Sequence, residues 1–196
     1  VTIVRDFTEQ RRAEAEQAAL RRVAMLVAKD APPEEVFQSV TEEVCRLLGI
    51  RSALLLRFEE AETASVVGKY GEPYEEFMLG SLLRLEDGAA LTVLRTGAPA
   101  RIEYRELPGQ LAAQMLELGF HASVGVPIVV GGVVWGALIA AMRTGTTLPL
   151  ETERRLQGFA ELVALAVASA HTRNELAASR LRIIEASDAE RRRLER

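Results

Sequence analysis

The chain has 196 residues, 48% of them hydrophobic and 27% charged, with a formal net charge of −4. That length suits one domain of common size with extensions, and the composition excludes bulk disorder. The slight acidity leaves no global basic field for nucleic acid, and a single cysteine, Cys45, excludes an internal disulfide or a cysteine-based metal cluster.

At the start, Arg5, Asp6 and Glu9 interrupt any apolar run, so no signal peptide is expected and the chain reads as cytoplasmic. Residues 8–29 lack Gly and Pro and are rich in Ala, Glu, Gln and Arg, which predicts a helix with Thr8 as N-cap. Along it Ala13, Leu20 and Val27 recur every seven residues, with Val23 between the last two, a thin apolar stripe suited to a partner helix. Asp30-Ala31-Pro32-Pro33 ends that helix. A second starts near Pro33, with Glu34 and Glu35 favourable in its first turn, an apolar face of Val36, Phe37, Val40, Val44, Leu47 and Leu48, and Gly49 as terminator.

Residues 52–59 and 63–70 read as two strands joined by a short acidic turn. A loop containing Pro73, Tyr74 and Phe77 follows over 71–81, then a short strand at 82–85, a small helix at 90–95 and another short strand at 100–102. Residues 110–118 are helical, with Leu111, Met115 and Leu118 on one side.

Residues 122–142 carry no charge and are long enough to suggest a membrane span. Gly131-Gly132 in the middle is a hairpin-turn signature, and the flanks are β-branched: Val124, Val126, Ile128, Val129 and Val130 before it, Val133, Val134 and Ile139 after it. The prediction is a hairpin of two long strands, covered on both faces and making no membrane contact.

From Pro149 to the end the only helix-breaking residue is Gly158. An unbroken helix of that length reaches about 70 Å. Its first half carries Leu156, Phe159, Leu162, Val163, Leu165 and Val167, enough to cover a sheet. The second half is thinly apolar, with Leu176, Leu181, Ile183, Ile184 and Leu194, and calls for a second copy to pack on. The expectation is an α+β domain, a mostly antiparallel sheet covered by helices, between long coiled-coil arms of a homodimer.

The run G-V-P-I-V-V-G-G-V-V-W-G-A-L-I at 125–139 resembles the strand pair of GAF domains, where a Val-Pro strand turns through Gly into a Gly-x-Leu strand. Residues 153–167 resemble the closing GAF helix and 88–99 the middle helix and turn, so the likeness spans roughly 34–170. Residues 1–16, V-T-I-V-R-D-F-T-E-Q-R-R-A-E-A-E, resemble the tail of a PAS domain, whose last strand runs into a linker helix; Phe7 replaces the usual aliphatic residue. Residues 179–196, S-R-L-R-I-I-E-A-S-D-A-E-R-R-R-L-E-R, are similar to the helix before the phospho-acceptor box of the nitrate-sensor-like class of bacterial histidine kinases. The arginine bias, with Lys29 and Lys69 the only lysines, goes with a high-GC, actinobacterial source.

The resemblance implies a PAS-like antiparallel sheet and three segments: a PAS-tail remnant and linker helix over 1–30, a GAF domain over 31–172 and a signalling helix over 173–196. It also implies a two-component sensor module without catalytic activity of its own, with PAS domain and kinase core in cis and a response regulator served by the parent kinase. Leu20, Val23, Val27, Leu176, Ile183, Ile184 and Leu194 would form the dimer and signalling helices.

A small-molecule ligand would meet Tyr70, Phe77, Met115, His121 and Trp135. The alternative is a dedicated receptor, for haem through His121 or for another small molecule through the 70–77 loop. Nothing identifies a cofactor. Cys45 on an apolar helix reads as a small buried hydrophobe rather than a bilin attachment site, and the missing cysteines exclude methionine sulfoxide reduction. Trp135, alternating with Val133, Ala137 and Ile139, reads first as core. His171, among Ser169, Thr172 and Arg173, does not read as a ligand. Asn174 is the only asparagine, so the Asn-Lys signature of cyclic-nucleotide GAF domains is missing. Glu190 and Glu195 interleave Arg191, Arg192, Arg193 and Arg196, which marks a solvated helix face rather than a nucleic-acid patch.

Overall fold

The computed structural model describes residues 2–71, 77–143, 149 and 151–194, with side chains placed for 10–71, 77–143, 149, 151–180 and 182. The first helix, α1 (Thr2–Ala28), is followed by α2 (Pro33–Leu48), which opens on a proline with Glu34 and Glu35 in its first turn. α2 ends where Gly49 takes the left-handed conformation (φ 65°) and returns its N–H to the Cys45 carbonyl. Strands β1 (Ser52–Phe58), β2 (Thr63–Gly71) and β3 (Leu82–Arg84) lead to α3 (Gly88–Thr96), β4 (Ala100–Glu103) and α4 (Gln110–Glu117). The uncharged stretch forms β5 (Phe120–Val130) and β6 (Val133–Arg143), turning through Gly131 and Gly132 at φ 59° and 84°. α5 (Thr152–Leu194) closes the order.

The six strands form one sheet in the order β3-β2-β1-β6-β5-β4, with every neighbouring pair antiparallel. One face packs on α1, α2 and α5: Val36, Phe37, Val40 and Val44 meet Leu55, Val124, Val126, Ile128 and Leu138, with Phe159 and Val163 from α5. The other face carries a second layer under α3, with Leu56, Val66, Ala89, Val93, Ala137 and Ile139. Met115 of α4 joins Tyr104, Phe120 and Ala141 in a third cluster. Both faces of the central hairpin are therefore covered, which is why it reads as continuously apolar.

Several expectations need correction. Residues from Thr2 onward are helical, so α1 starts ahead of Thr8 and Thr8 is an interior residue. The strand implied by the PAS-tail resemblance is not formed within the described part of 1–16, where α1 already runs from Thr2. The stripe on α1 is also used within the chain. Val23 is 0% exposed in the core, and Leu20 and Val27 pack against that same core. Leu20 lies against Gly158, where the missing side chain lets α1 approach α5; a Cβ there would stand 3.4 Å from Leu20 Cδ2. The partner helix that these residues call for is thus α5 of the same protomer.

The pairings Glu16–Arg155 (3.3 Å), Leu20–Gly158 and Asp30–Arg173 (3.3 Å) advance together along both helices, so α1 and α5 run parallel. The start of α1 and the part of α5 beyond Arg173 therefore lie at opposite ends of this pair. Residues 174–180 are exposed, Leu176 by 52%. The side chains of Leu181, Ile183, Ile184 and Leu194 lie outside the described residues.

Two β-bulges invert the alternation expected for the hairpin. Ile128 pairs with Gly136 and Val129 with Val134, leaving Trp135 as the extra residue. Ala137 and Ile139 line the α3 face, whereas Trp135 packs with Phe37 of α2, ring centroids 5.8 Å apart. Trp135 is a packing residue, as its composition suggested, but on the opposite face from Ala137 and Ile139. His121 is the extra residue at the other bulge, between Phe120–Arg143 and Ala122–Met142.

Candidate functional site

Where β1, β2 and β3 spread from α3 and α4, they enclose a cavity of about 590 Å³. A volume of that size suits a small organic ligand. Its sheet wall is apolar: Leu54 and Leu56 from β1, Leu82 and Leu83 from β3, Phe120 from β5, Ile139 and Ala141 from β6. Tyr70 at the end of β2 and Phe77 stand on its β2–β3 side, and Leu111, Gln114 and Met115 of α4 on the other. The polar lining converges from separate elements: Ser52, Lys69, Ser81, Arg84, Glu86, Asp87, Tyr104, Gln110 and Ser123.

Tyr104, buried just after β4, donates its hydroxyl to Ser123 Oγ of β5 at 2.9 Å. Burial raises the phenol pKa above its ordinary value; the Ser123 bond opposes this and Asp87 reinforces it. Asp87 heads α3 without capping it, in extended conformation (φ −160°). Its Oδ1 is closed to solvent and has no hydrogen-bond partner among the described residues. Its Oδ2 sits over Gly109, where any Cβ would collide with it; Gly109 also holds φ at 126°, which favours glycine independently. Loss of hydration, and then the neighbouring Glu86, push the Asp87 carboxyl above its usual range. Arg143 lies over the Phe120 ring at 5.4 Å, so the cavity's apolar end is backed by a cation–π contact.

Tyr70, Phe77 and Met115 therefore line one cavity, while residues 72–76 of the expected loop lie outside the described residues. His121 and Trp135 are not among the lining residues, and the bulges explain both displacements. The axial-ligand role considered for His121 finds no support in this geometry. Cys45 lies across the sheet from the cavity, buried, with its thiol pushed up to about 12 by desolvation. His171 is exposed and meets Glu175 at 3.2 Å. Among the described residues no cluster of three or more His, Cys, Asp or Glu side chains is placed to hold a metal. Nor is any helix among them long and apolar enough to cross a membrane.

Sequence reasoning missed Asp87, Tyr104 and Ser123. Asp87 before Gly88 carried a readable signal as a helix-start residue, whereas the Tyr104–Ser123 pair depends on strand register and had none.

On the other face, Arg22 of α1 grips Glu43 of α2 with two bonds of 2.7 Å, and Arg46 adds a third at 2.9 Å. The Arg22 bonds, foremost, hold the Glu43 carboxyl below its usual range. Arg101 of β4 makes a matching two-point contact with Glu153 in the first turn of α5 (2.8 and 2.9 Å) and also reaches the Pro149 carbonyl at 3.0 Å.

Fold and cavity together define an α+β domain that frames a small-molecule-sized pocket between a six-stranded sheet and two short helices. The chain belongs to the GAF domain family, which matches residues 32–167. Among solved structures it is similar to the phycoerythrobilin-bound GAF domain of a cyanobacterial phytochrome, with TM-score 0.70 and 16% identity over 83% of this chain and 99% of that one. A phycocyanobilin-bound GAF domain from a cyanobacterial phytochrome matches with TM-score 0.66 and 18% identity, over 81% and 96%. The GAF domain of an Acinetobacter phosphoenolpyruvate-protein phosphotransferase matches with TM-score 0.66 and 14% identity, over 82% and 97%. At these identities the likeness is one of fold. No curated protein sequence matches the chain significantly.

Proposed function

We propose that this chain is the sensory and signal-transmitting GAF module of a cytoplasmic two-component histidine kinase. It relays the binding of a small molecule, or the state of an upstream PAS domain, to the kinase core and thence to a response regulator. The observation that carries this reading is the parallel pair α1–α5, which leaves the domain at opposite ends while packing on one sheet. A displacement delivered along α1 is thereby handed to α5. The cavity has its own link to the same helix, because Tyr104 in its wall directly follows β4 and Arg101 ties β4 to the start of α5.

Transmission requires a helix arrangement with two packings that differ by about a few kcal/mol. The second half of α5, exposed over its described residues 174–180 and marginal as a lone helix, supplies this when it pairs with a second copy. The bilins held by two of the similar domains show an organic chromophore accommodated on this fold. Here the buried, non-nucleophilic Cys45 lies across the sheet, so a ligand of this cavity is held without attachment to that thiol.

Sedimentation equilibrium at tens of micromolar tests the reading: the chain sediments as a homodimer, and a monomer at that concentration removes the physical basis of transmission. The module has no phosphotransfer activity of its own. Incubation with γ-labelled ATP leaves it unlabelled; incorporation by clean protein would contradict this.

A further inference from the structure

Asp87 is the one carboxylate in the cavity wall whose charge the surrounding described residues leave uncompensated. Arg84, the nearest cation in sequence, also borders the cavity, but its side chain is 81% exposed and its guanidinium pairs with Glu86 at 3.9 Å. Lys69 rests its Nζ against Met78 Sδ at 3.8 Å. Tyr104 spends its hydroxyl proton on Ser123. Asp87 Oδ1, closed to solvent, therefore keeps an unmet demand for a donor, and an unmet buried acceptor is costly.

Resting on the reading of this cavity as the sensory site, we propose that it takes an organic cation, an apolar body bearing a protonated amine or amidine nitrogen, anchored by Asp87. The apolar body lies on Leu54, Leu56 and Ile139, and the nitrogen supplies the donor that Oδ1 lacks. Since Asp87 makes no cap bond to α3, its carboxylate turns toward the ligand without breaking a contact that holds the helix. An anionic ligand would meet Glu86 and Asp87 on that wall, where the lining cations Arg84 and Lys69 are engaged with Glu86 and with Met78 rather than with Asp87. The raised carboxyl pKa of Asp87 has the same origin, lost hydration without a counter-charge, and a cation relieves it.

Benzamidine and benzoate, alike in ring and opposite in charge, separate the possibilities when titrated into the full chain and followed by amide NMR. Benzamidine shifts the Asp87, Tyr104 and Ser123 amides saturably, and benzoate does not. Asp87→Asn weakens benzamidine about tenfold or more, as expected for a lost charge-assisted bond. Glu106→Gln, an equal charge change at an exposed position outside the lining, leaves affinity within about twofold. Benzoate binding as tightly as benzamidine, or an unchanged affinity in a folded Asp87→Asn variant, overturns the inference while leaving the cavity a ligand site. If neither probe perturbs the cavity, the inference and the ligand-sensing reading fall together. The wild-type preference between the probes is decisive even if the Asn variant does not fold.

Discussion

Cys45 shows how a single side chain is governed by its burial. It sits on α2 among Val44, Ala53 and Leu55, 3% exposed, and desolvation lifts its thiol to about 12. The nucleophile is the thiolate, so at neutral pH the native protein offers almost none. Thiol reagents should label native protein far more slowly than denatured protein, and equal rates would contradict the burial. Cys45→Ala should cost on the order of 1 kcal/mol in denaturant unfolding, the penalty of a small void. This residue was legible from its apolar helical neighbours alone. Trp135 was legible in role but not in direction, because a one-residue bulge opposite Ile128 and Val129 reverses which face it joins. A bulge leaves no mark on an all-apolar run such as 122–142, so period-two reasoning fails there without warning. Asp87, Tyr104 and Ser123 were illegible as a group for the same reason: they meet through pairing of distant strands.

Elements were easier to read than sites. The breaks at Pro32-Pro33, Gly49 and Gly131-Gly132 fall where the chain turns, since each has a local steric cause. The error at the element scale was to give the apolar stripe of α1 to another molecule. A heptad-like spacing reports that one face needs a partner and carries no information on which helix provides it. The polar contacts around α1 reveal the assignment: Glu16–Arg155 and Asp30–Arg173 tie it to α5, and Arg22–Glu43 docks it on α2. Glu43, with its side chain only 7% exposed, is where this docking is most sensitive. Glu43→Gln should lower stability by about 1–3 kcal/mol, nearer the lower figure because Arg22 is half exposed. The sign with pH follows from the lowered carboxyl pKa. The stabilisation is complete above the usual carboxylate range and is lost as pH falls through the native value, since protonation removes the acceptor for Arg22. Acid unfolding curves of the two proteins should converge at low pH; a constant gap between them would assign the stabilisation to something other than this pair.

At the scale of the whole molecule, one architecture serves two demands. The sheet is covered on one face by long helices that leave the domain and on the other by short helices that frame a cavity. Cavity and long helices are thus separated by a single layer of strands, with Arg101–Glu153 as a direct tie from the β4 edge to α5. With 43 residues, α5 is about 65 Å long. Beyond Arg173 its described residues 174–180 are exposed, Leu176 by 52%. In the proposed dimer two such stretches lie side by side in the same direction, so that both deliver the same displacement.

Oxidative cross-linking of a Leu176→Cys variant tests that arrangement most directly. Leu176 is 52% exposed on the protruding helix, and the native Cys45 is too buried to compete. In a parallel pair the two introduced thiols face each other across the seam, within the short Cα separation a disulfide requires. Mild oxidation at tens of micromolar should convert most of the protein to a covalent dimer that reduction reverses. A chain that stays monomeric on oxidation, while equally folded and carrying a titratable surface thiol, would contradict parallel pairing of the α5 helices.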